Sequence, residues 1–400
     1  MGTHRRQRST SPAARGAAWV GLFLLLAAVA VLASRGLWGD LVAELLHLGS
    51  QSAPQGSVLW QAPCPPGSLL SVSADGRVLL AFPTSGGADT AASAATPRAR
   101  IAEVSAGVTT VIGDVDGSVL AVSYYDRSPP ATAAAAAVAG GAGGGPAPGE
   151  WRAIVVRDMV PTAPDQPVLL EEEVSRPGPG LGAAVLYRAS GTVITAGHPW
   201  VDDALALLGA YDPSAGAEGK GSVLAVDDGG RVLWSRAVGP GPVHRLTARS
   251  GTGYVAAATP RLVALLDNRG NLLWSKTFRE KVTDLALGSR GGPVVITGGE
   301  LSVYDRRGNL IWRKRSREPL RAVACAAERI AVADAGGLVV YDEDGLERWS
   351  LACASAPVDL ALAPTGDLAA VVLETGTLVL AGAPGAAPAG LETRPDGAHP

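Results

Sequence analysis

Between Gly56 and about Ala381 the apolar positions come in short runs of Val, Leu, Ile and Ala, each soon interrupted by Gly, Pro or Asp. Short apolar runs bounded by turn residues predict strands rather than helices. The clearest set is Val243–Thr247, Tyr254–Ala258, Arg261–Leu266 and Leu272–Lys276. The cycle returns as Val282–Leu287, Val294–Thr297, Leu301–Tyr304 and Leu310–Arg313, then as Leu320–Ala324, Ile330–Ala333, Leu338–Tyr341 and Glu347–Leu351. A four-strand unit repeated without intervening helices predicts an all-β chain folded as one β-propeller of four-stranded blades.

The turn between the third and fourth strands of each unit carries one phrase: Asp, two residues, Gly, three residues, Trp. It occurs as Asp227…Gly230…Trp234, Asp267…Gly270…Trp274, Asp305…Gly308…Trp312 and Asp342…Gly345…Trp349, the tryptophans standing 40, 38 and 37 residues apart. Asp accepts hydrogen bonds from the amides of its own turn, and Gly takes the left-handed conformation that ends it. Trp then arrives at a fixed place in the outer strand, where it can fill the gap to the neighbouring blade. All three are structural positions, and none is read as catalytic.

The two ends of the chain predict how the ring closes. After the third clear unit, Val358–Leu362, Leu368–Leu373 and Leu378–Leu380 supply three strands only. Gly56-Ser-Val-Leu-Trp60 keeps the Gly-to-Trp spacing, with Ala53 in place of the Asp, and can supply the fourth. Between Pro65 and Gly239 the repeats are eroded. Leu69–Ser73, Val78–Phe82, Arg100–Val104 and Thr109–Ile112 form a first blade, and Val119–Tyr124, Trp151–Arg157 and Val168–Glu172 belong to a second. Val185–Tyr187, Thr192–Ala196, Val223–Val226 and Val232–Ser235 complete a third, with His198 in an insertion loop. The sum is seven blades over residues 56–381, six or eight being the alternatives. Residues 83–98, 128–150 and 382–400 are rich in Ala, Gly, Pro and Ser and are expected to be disordered, because they bury too little apolar surface to offset the entropy of ordering.

The N-terminus follows another logic. A basic leader over 1–15, with Arg5, Arg6, Arg8 and Arg15, precedes an uncharged run from Gly16 to Ser34 that ends at Arg35. At about 1.5 Å per residue such a run just spans a bilayer core of about 30 Å. The expectation is one transmembrane signal-anchor over 16–36, with the leader cytoplasmic and the propeller outside. Cleavage after Ala30 or Ala33 and secretion is the alternative. Residues 37–55 read as a short helix and a polar linker.

Composition narrows the function. A net charge of −3 over 400 residues argues against a nucleic-acid binder, which is usually strongly basic. Cys64, Cys325 and Cys353 form no CxxC pair and no Cys/His cluster of the kind that holds zinc. His198, in Gly197-His-Pro-Trp-Val-Asp-Asp203, is the one histidine beside carboxylates, and a satisfied structural residue is its plainer reading. From Arg269 to Arg329 there are 13 Lys and Arg against 6 Asp and Glu. Arg313, Lys314, Arg315 and Arg317 are the densest part, a candidate contact patch for an anionic partner, with solvated blade surface as the alternative.

The four Asp…Gly…Trp hairpins resemble those of the pyrroloquinoline-quinone-like repeat propellers, strongly over about 225–350 and more weakly over 56–381. That family includes quinone-dependent dehydrogenases, an outer-membrane assembly scaffold and anchored bacterial propellers. The dehydrogenase form has an extra residue and a Thr before the Gly, where this chain has Gly229, Arg269, Arg307 and Asp344. Adjacent cysteines of the kind that cover the quinone are missing too, so no cofactor is expected. With the N-terminal anchor and the departures from the dehydrogenase form, the leading expectation is a non-enzymatic, membrane-anchored scaffold of the cell envelope, binding an envelope protein or an anionic polymer. An oxidoreductase or lyase with its site at the channel mouth, or a ligand-binding sensor, is the alternative.

Overall fold

The computed structural model describes residues 53–84, 98–116, 118–124, 151–159, 171–177, 183–190, 192–201, 205–227, 229–249 and 251–386. The expected leader at 1–15 and signal-anchor at 16–36, nearly all of 37–55, the interior of 83–98, all of 128–150 and residues 387–400 lie outside them. Among the described residues no helix is long and apolar enough to cross a membrane.

Among the same residues the strands form seven four-stranded antiparallel sheets. Blade 1 is Leu69–Val72, Val78–Thr84, Arg98–Ser105 and Val108–Asp116, and blade 2 is Ser118–Tyr124, Trp151–Met159, Glu171–Pro177 and Ala183–Ser190. Blade 3 is Val193–Val201, Leu205–Asp212, Lys220–Val226 and Val232–Pro240. Blade 4 is Arg245–Arg249, Tyr254–Thr259, Leu262–Asp267 and Leu272–Thr277, and blade 5 is Val282–Leu287, Pro293–Thr297, Glu300–Tyr304 and Leu310–Arg315. Blade 6 is Ala322–Ala326, Arg329–Asp334, Gly337–Asp342 and Glu347–Ala352. Blade 7 takes Pro357–Leu362, Leu368–Leu373 and Thr377–Gly382 from the C-terminal end and Ser57–Pro63 as its outer strand. The inner strand of each blade adjoins that of the next, and the inner strand of blade 7 adjoins that of blade 1. The sheets therefore form a closed ring around a channel.

Burial follows from this arrangement. In the best-formed blades the second and third strands are covered on both faces and are mostly apolar: every residue of Leu368–Leu373 is buried. Outer strands face water, and Leu272–Thr277 is exposed along most of its length. Each pair of adjacent blades encloses one apolar cluster, with Val294, Ile296 and Leu301 of blade 5 meeting Ile330 and Val332 of blade 6, for example. At roughly 1.5–3 kcal/mol for each large aliphatic side chain buried, these clusters dominate the ring's stability.

Closure follows the Gly56–Trp60 spacing. Ser57–Pro63 pairs antiparallel with the third strand of blade 7, with Trp60 opposite Leu380. Trp60, Ala62 and Cys64 are buried between blades 7 and 1. Just before this strand the chain touches blade 6, where Gly56 N donates to Ser350 O at 2.7 Å.

Four sequence expectations need correction. Val185 to Tyr187 belongs to the outer strand of blade 2, not to blade 3. Leu205–Asp212, to which the apolar pattern assigns no strand, is the second strand of blade 3. His198 lies in the inner strand of that blade opposite Leu207, and not in an insertion loop. At the segment edges, Pro83, Thr84, Arg98 and Gly382 are strand residues.

Candidate functional site

The repeated hairpins hold themselves together and then grip the next blade. In each, one carboxylate oxygen of the Asp accepts two turn amides: Asp267 takes Arg269 N at 2.9 Å and Asn271 N at 2.8 Å, and Asp305 takes Arg307 N and Asn309 N at 2.8 Å each. Asp227 and Asp342 repeat the pattern. The Arg231 amide is the largest of the forces that hold the Asp227 carboxyl below its usual range. Gly230, Gly270, Gly308 and Gly345 all have φ between 77° and 84°. The extra residue of a β-bulge stands just before each repeat Trp, Leu273 before Trp274 for instance, and turns the strand locally. The indole N–H groups of Trp234, Trp274 and Trp312 then donate to the carbonyls of Asn268, Arg306 and Glu343, each in the next blade's hairpin. Trp349 has no such carbonyl and packs on Gly56 instead.

Two of the four basic residues have partners within the propeller. Lys314 lies over the Tyr341 ring of blade 6, 4.3 Å from its centroid, and desolvation lowers its pKa. Arg315 pairs with Glu300 at 3.0 Å. Arg313 and Arg317 are exposed. The outer strands of blades 3, 4 and 5 contain no carboxylate and present adjacent aliphatic pairs, Val232/Leu233, Leu272/Leu273 and Leu310/Ile311, each residue 38–48% exposed.

The channel mouth is a second candidate site, and its residues are ones that the sequence pattern does not single out. In an up-and-down blade the inner strand begins at the end of the ring opposite the third-to-fourth hairpin, so this mouth faces away from the Asp…Gly…Trp turns. A cavity of about 680 Å³ opens there, lined by residues of all seven blades. Arg245 of blade 4 pairs with Asp284 of blade 5 at 2.7 Å. The second oxygen of Asp284 accepts Val323 N of blade 6 at 2.8 Å. Arg321 forms an ion pair with Glu374 of blade 7. His244 bonds through Nε2 to Val282 O at 2.9 Å, its Nδ1 is buried without a partner, and burial lowers its pKa. Asp359 completes the set. Enclosure by protein, reinforced by the Asp284 carboxylate, pushes its pKa up to about 7 against the pull of the Leu360 amide and Arg245. The sequence did hold a signal, since Asp284 and Asp359 each open the same tetrapeptide, Asp-Leu-Ala-Leu.

Among the described residues no group of three His, Cys, Asp or Glu side chains is placed to hold a metal ion. Cys64, Cys325 and Cys353 are free thiols on separate blades or loops.

Residues 219–386 match the family model described as outer membrane protein assembly factor BamB, a model of PQQ-like repeats. No curated protein matches the chain. Among solved structures, the fold is similar to a chain of the mitotic checkpoint complex, 12% identical over 84% of this chain and 94% of that one, with a TM-score of 0.54. It is also similar to the C-terminal WD40 domain of Sif2, at 10% identity over 84% and 100% of the two chains, with a TM-score of 0.50. BamB from Moraxella catarrhalis aligns at 12% identity over 80% and 83%, with a TM-score of 0.48. The first two likenesses speak for the propeller fold. The family match adds a likeness to PQQ-like repeats over residues 219–386, from the third strand of blade 3 through blade 7.

Proposed function

We propose that this PQQ-like repeat propeller is a membrane-anchored, extracytoplasmic platform that binds or assembles other proteins at the cell envelope. The match of residues 219–386 to an outer-membrane protein assembly factor carries the reading. Three further observations support it. The repeat residues Asp227 to Trp349 are occupied in holding blades together, which leaves the surface for binding. The outer strands of blades 3 to 5 combine exposed aliphatic pairs with cations and no carboxylate, a surface suited to an apolar and acidic protein face. The uncharged run at 16–36 behind a basic leader has the length and flanking charge of a signal-anchor that leaves the propeller outside.

Topology is testable in spheroplasts of a bacterium expressing the full chain. A membrane-impermeant amine reagent should modify exposed Lys220 before lysis. Modification only after lysis would place the propeller in the cytoplasm and sink the reading.

A further inference from the structure

The charges at the channel mouth pair off and leave one over. Arg245 is held by Asp284, and Arg321 by Glu374. Asp359 stands in blade 7 where Asp284 stands in blade 5. Both follow a one-residue bulge at the start of the inner strand, Asp284 opposite Ile296 and Asp359 opposite Val372. Their surroundings differ. Asp284 receives a guanidinium from the preceding blade and an amide from the following one. Asp359 receives the amide of its own neighbour, Leu360, at 2.8 Å, and no cation among the described residues lies on it.

Blade 6 explains the difference. Arg245 pairs with Ala258 at the start of blade 4, and the residue in that register in blade 6, opposite Ala333, is Ala322. Its methyl group cannot reach across as the Arg245 side chain does, and Arg321, one residue earlier, is engaged by Glu374. The ring thus repeats the carboxylate half of an ion pair in blade 7 without the guanidinium half, inside a cavity of about 680 Å³. Cavities of roughly 300–1,000 Å³ suit small ligands.

We propose that the channel mouth binds an organic cation, through a guanidinium or ammonium group placed on Asp359 as Arg245 is placed on Asp284. A carboxylate offers two oxygens to such a group, and charge-assisted bonds of this kind are among the strongest available. The two guanidiniums nearby do not compete for anions, since each already has a carboxylate. The cation can be a free small molecule or an Arg or Lys side chain carried by a protein. The second source rests on the platform reading above, and the first does not.

Asp359 must be ionised to bind. With its pKa near 7, and with Asp284, Glu374, Arg245, Arg321 and His244 facing the same cavity, affinity should rise about tenfold between pH 6 and pH 8. The test is calorimetric titration of the full chain in detergent with agmatine, with an acetylated Gly-Arg-Gly amide and with succinate, at both pH values. One saturable site for either cation is expected, weakened at least tenfold by Asp359→Asn. Ala322→Arg, which supplies the guanidinium from within, should block it equally and serves if Asp359→Asn fails to fold. Agmatine binding identifies a free cation, whereas binding of the peptide alone identifies a protein side chain. Absence of binding by both cations, undiminished binding in the variants, or preference for succinate would overturn the proposal.

Discussion

The indole N–H of Trp234 donates to the carbonyl oxygen of Asn268 at 2.9 Å, across the boundary between blades 3 and 4. The same ring lies against Gly270, where a Cβ would come within 2.6 Å of Trp234 Cδ2. Gly270 is thus fixed twice, by a φ of 77° and by the neighbour's indole. The pairs Trp274–Gly308, Trp312–Gly345 and Trp349–Gly56 repeat the contact. The motif is therefore a latch between blades as well as a turn.

Gly270→Ala should accordingly cost more than its backbone conformation alone explains. Gly216 has a φ of 89° but open space where its Cβ would be, so Gly216→Ala isolates the conformational cost, about 1–2 kcal/mol. Gly270→Ala should exceed it by about 1–3 kcal/mol of overpacking, read as the difference between their denaturant midpoints. Equal losses would remove the latch from the account.

Trp274→Phe keeps an aromatic ring beside Gly308 and Tyr304 but loses the bond to Arg306 O. It should destabilise by about 1 kcal/mol, whereas Trp274→Ala should cost about 3–5 kcal/mol. Thermal or chemical unfolding of the two variants checks the order.

Removing residues 53–61 should abolish cooperative unfolding, because it strips blade 7 of its outer strand and exposes the cluster around Leu378 and Leu380. Differential scanning calorimetry distinguishes this from a small shift. A sharp transition at the parent temperature would mean that the ring is not closed by this strand.

Asp359 gives the pH dependence a definite sign. Its pKa is raised from 3.8 to about 7 on folding, so the folded state holds the proton more tightly. That contribution is fully present below about pH 4 and is lost as pH rises through 7. Asp359→Asn should therefore leave stability nearly unchanged at pH 4 and raise it by about 1–4 kcal/mol at pH 8. Unfolding curves at the two pH values make the comparison.

Blades 4 to 6 were legible because three marks coincide in each: apolar runs, an Asp…Gly turn and the spacing to Trp. The inner strand Val282–Leu287 was read at its observed bounds. Blades 2 and 3 were harder because blade 2 lacks the hairpin phrase that would mark its end. The strand at Leu205–Asp212 follows Gly197-His-Pro-Trp, which reads as loop. The basic run was legible as charge but not as partners. Strand alternation sends Lys314 onto Tyr341 and leaves Arg313 exposed, so only part of the basic run faces solvent. The channel-mouth charges come from four blades and meet when the ring closes, which no local pattern announces.

The central claim is that this propeller binds protein at the envelope. The most direct measurement is affinity capture of the full chain from native membranes, beside an Arg313→Glu/Arg317→Glu variant of unchanged stability. The account predicts an envelope protein recovered in stoichiometric amount with the parent chain and depleted with the variant. Recovery of the chain alone, under crosslinking as well as in mild detergent, would contradict it.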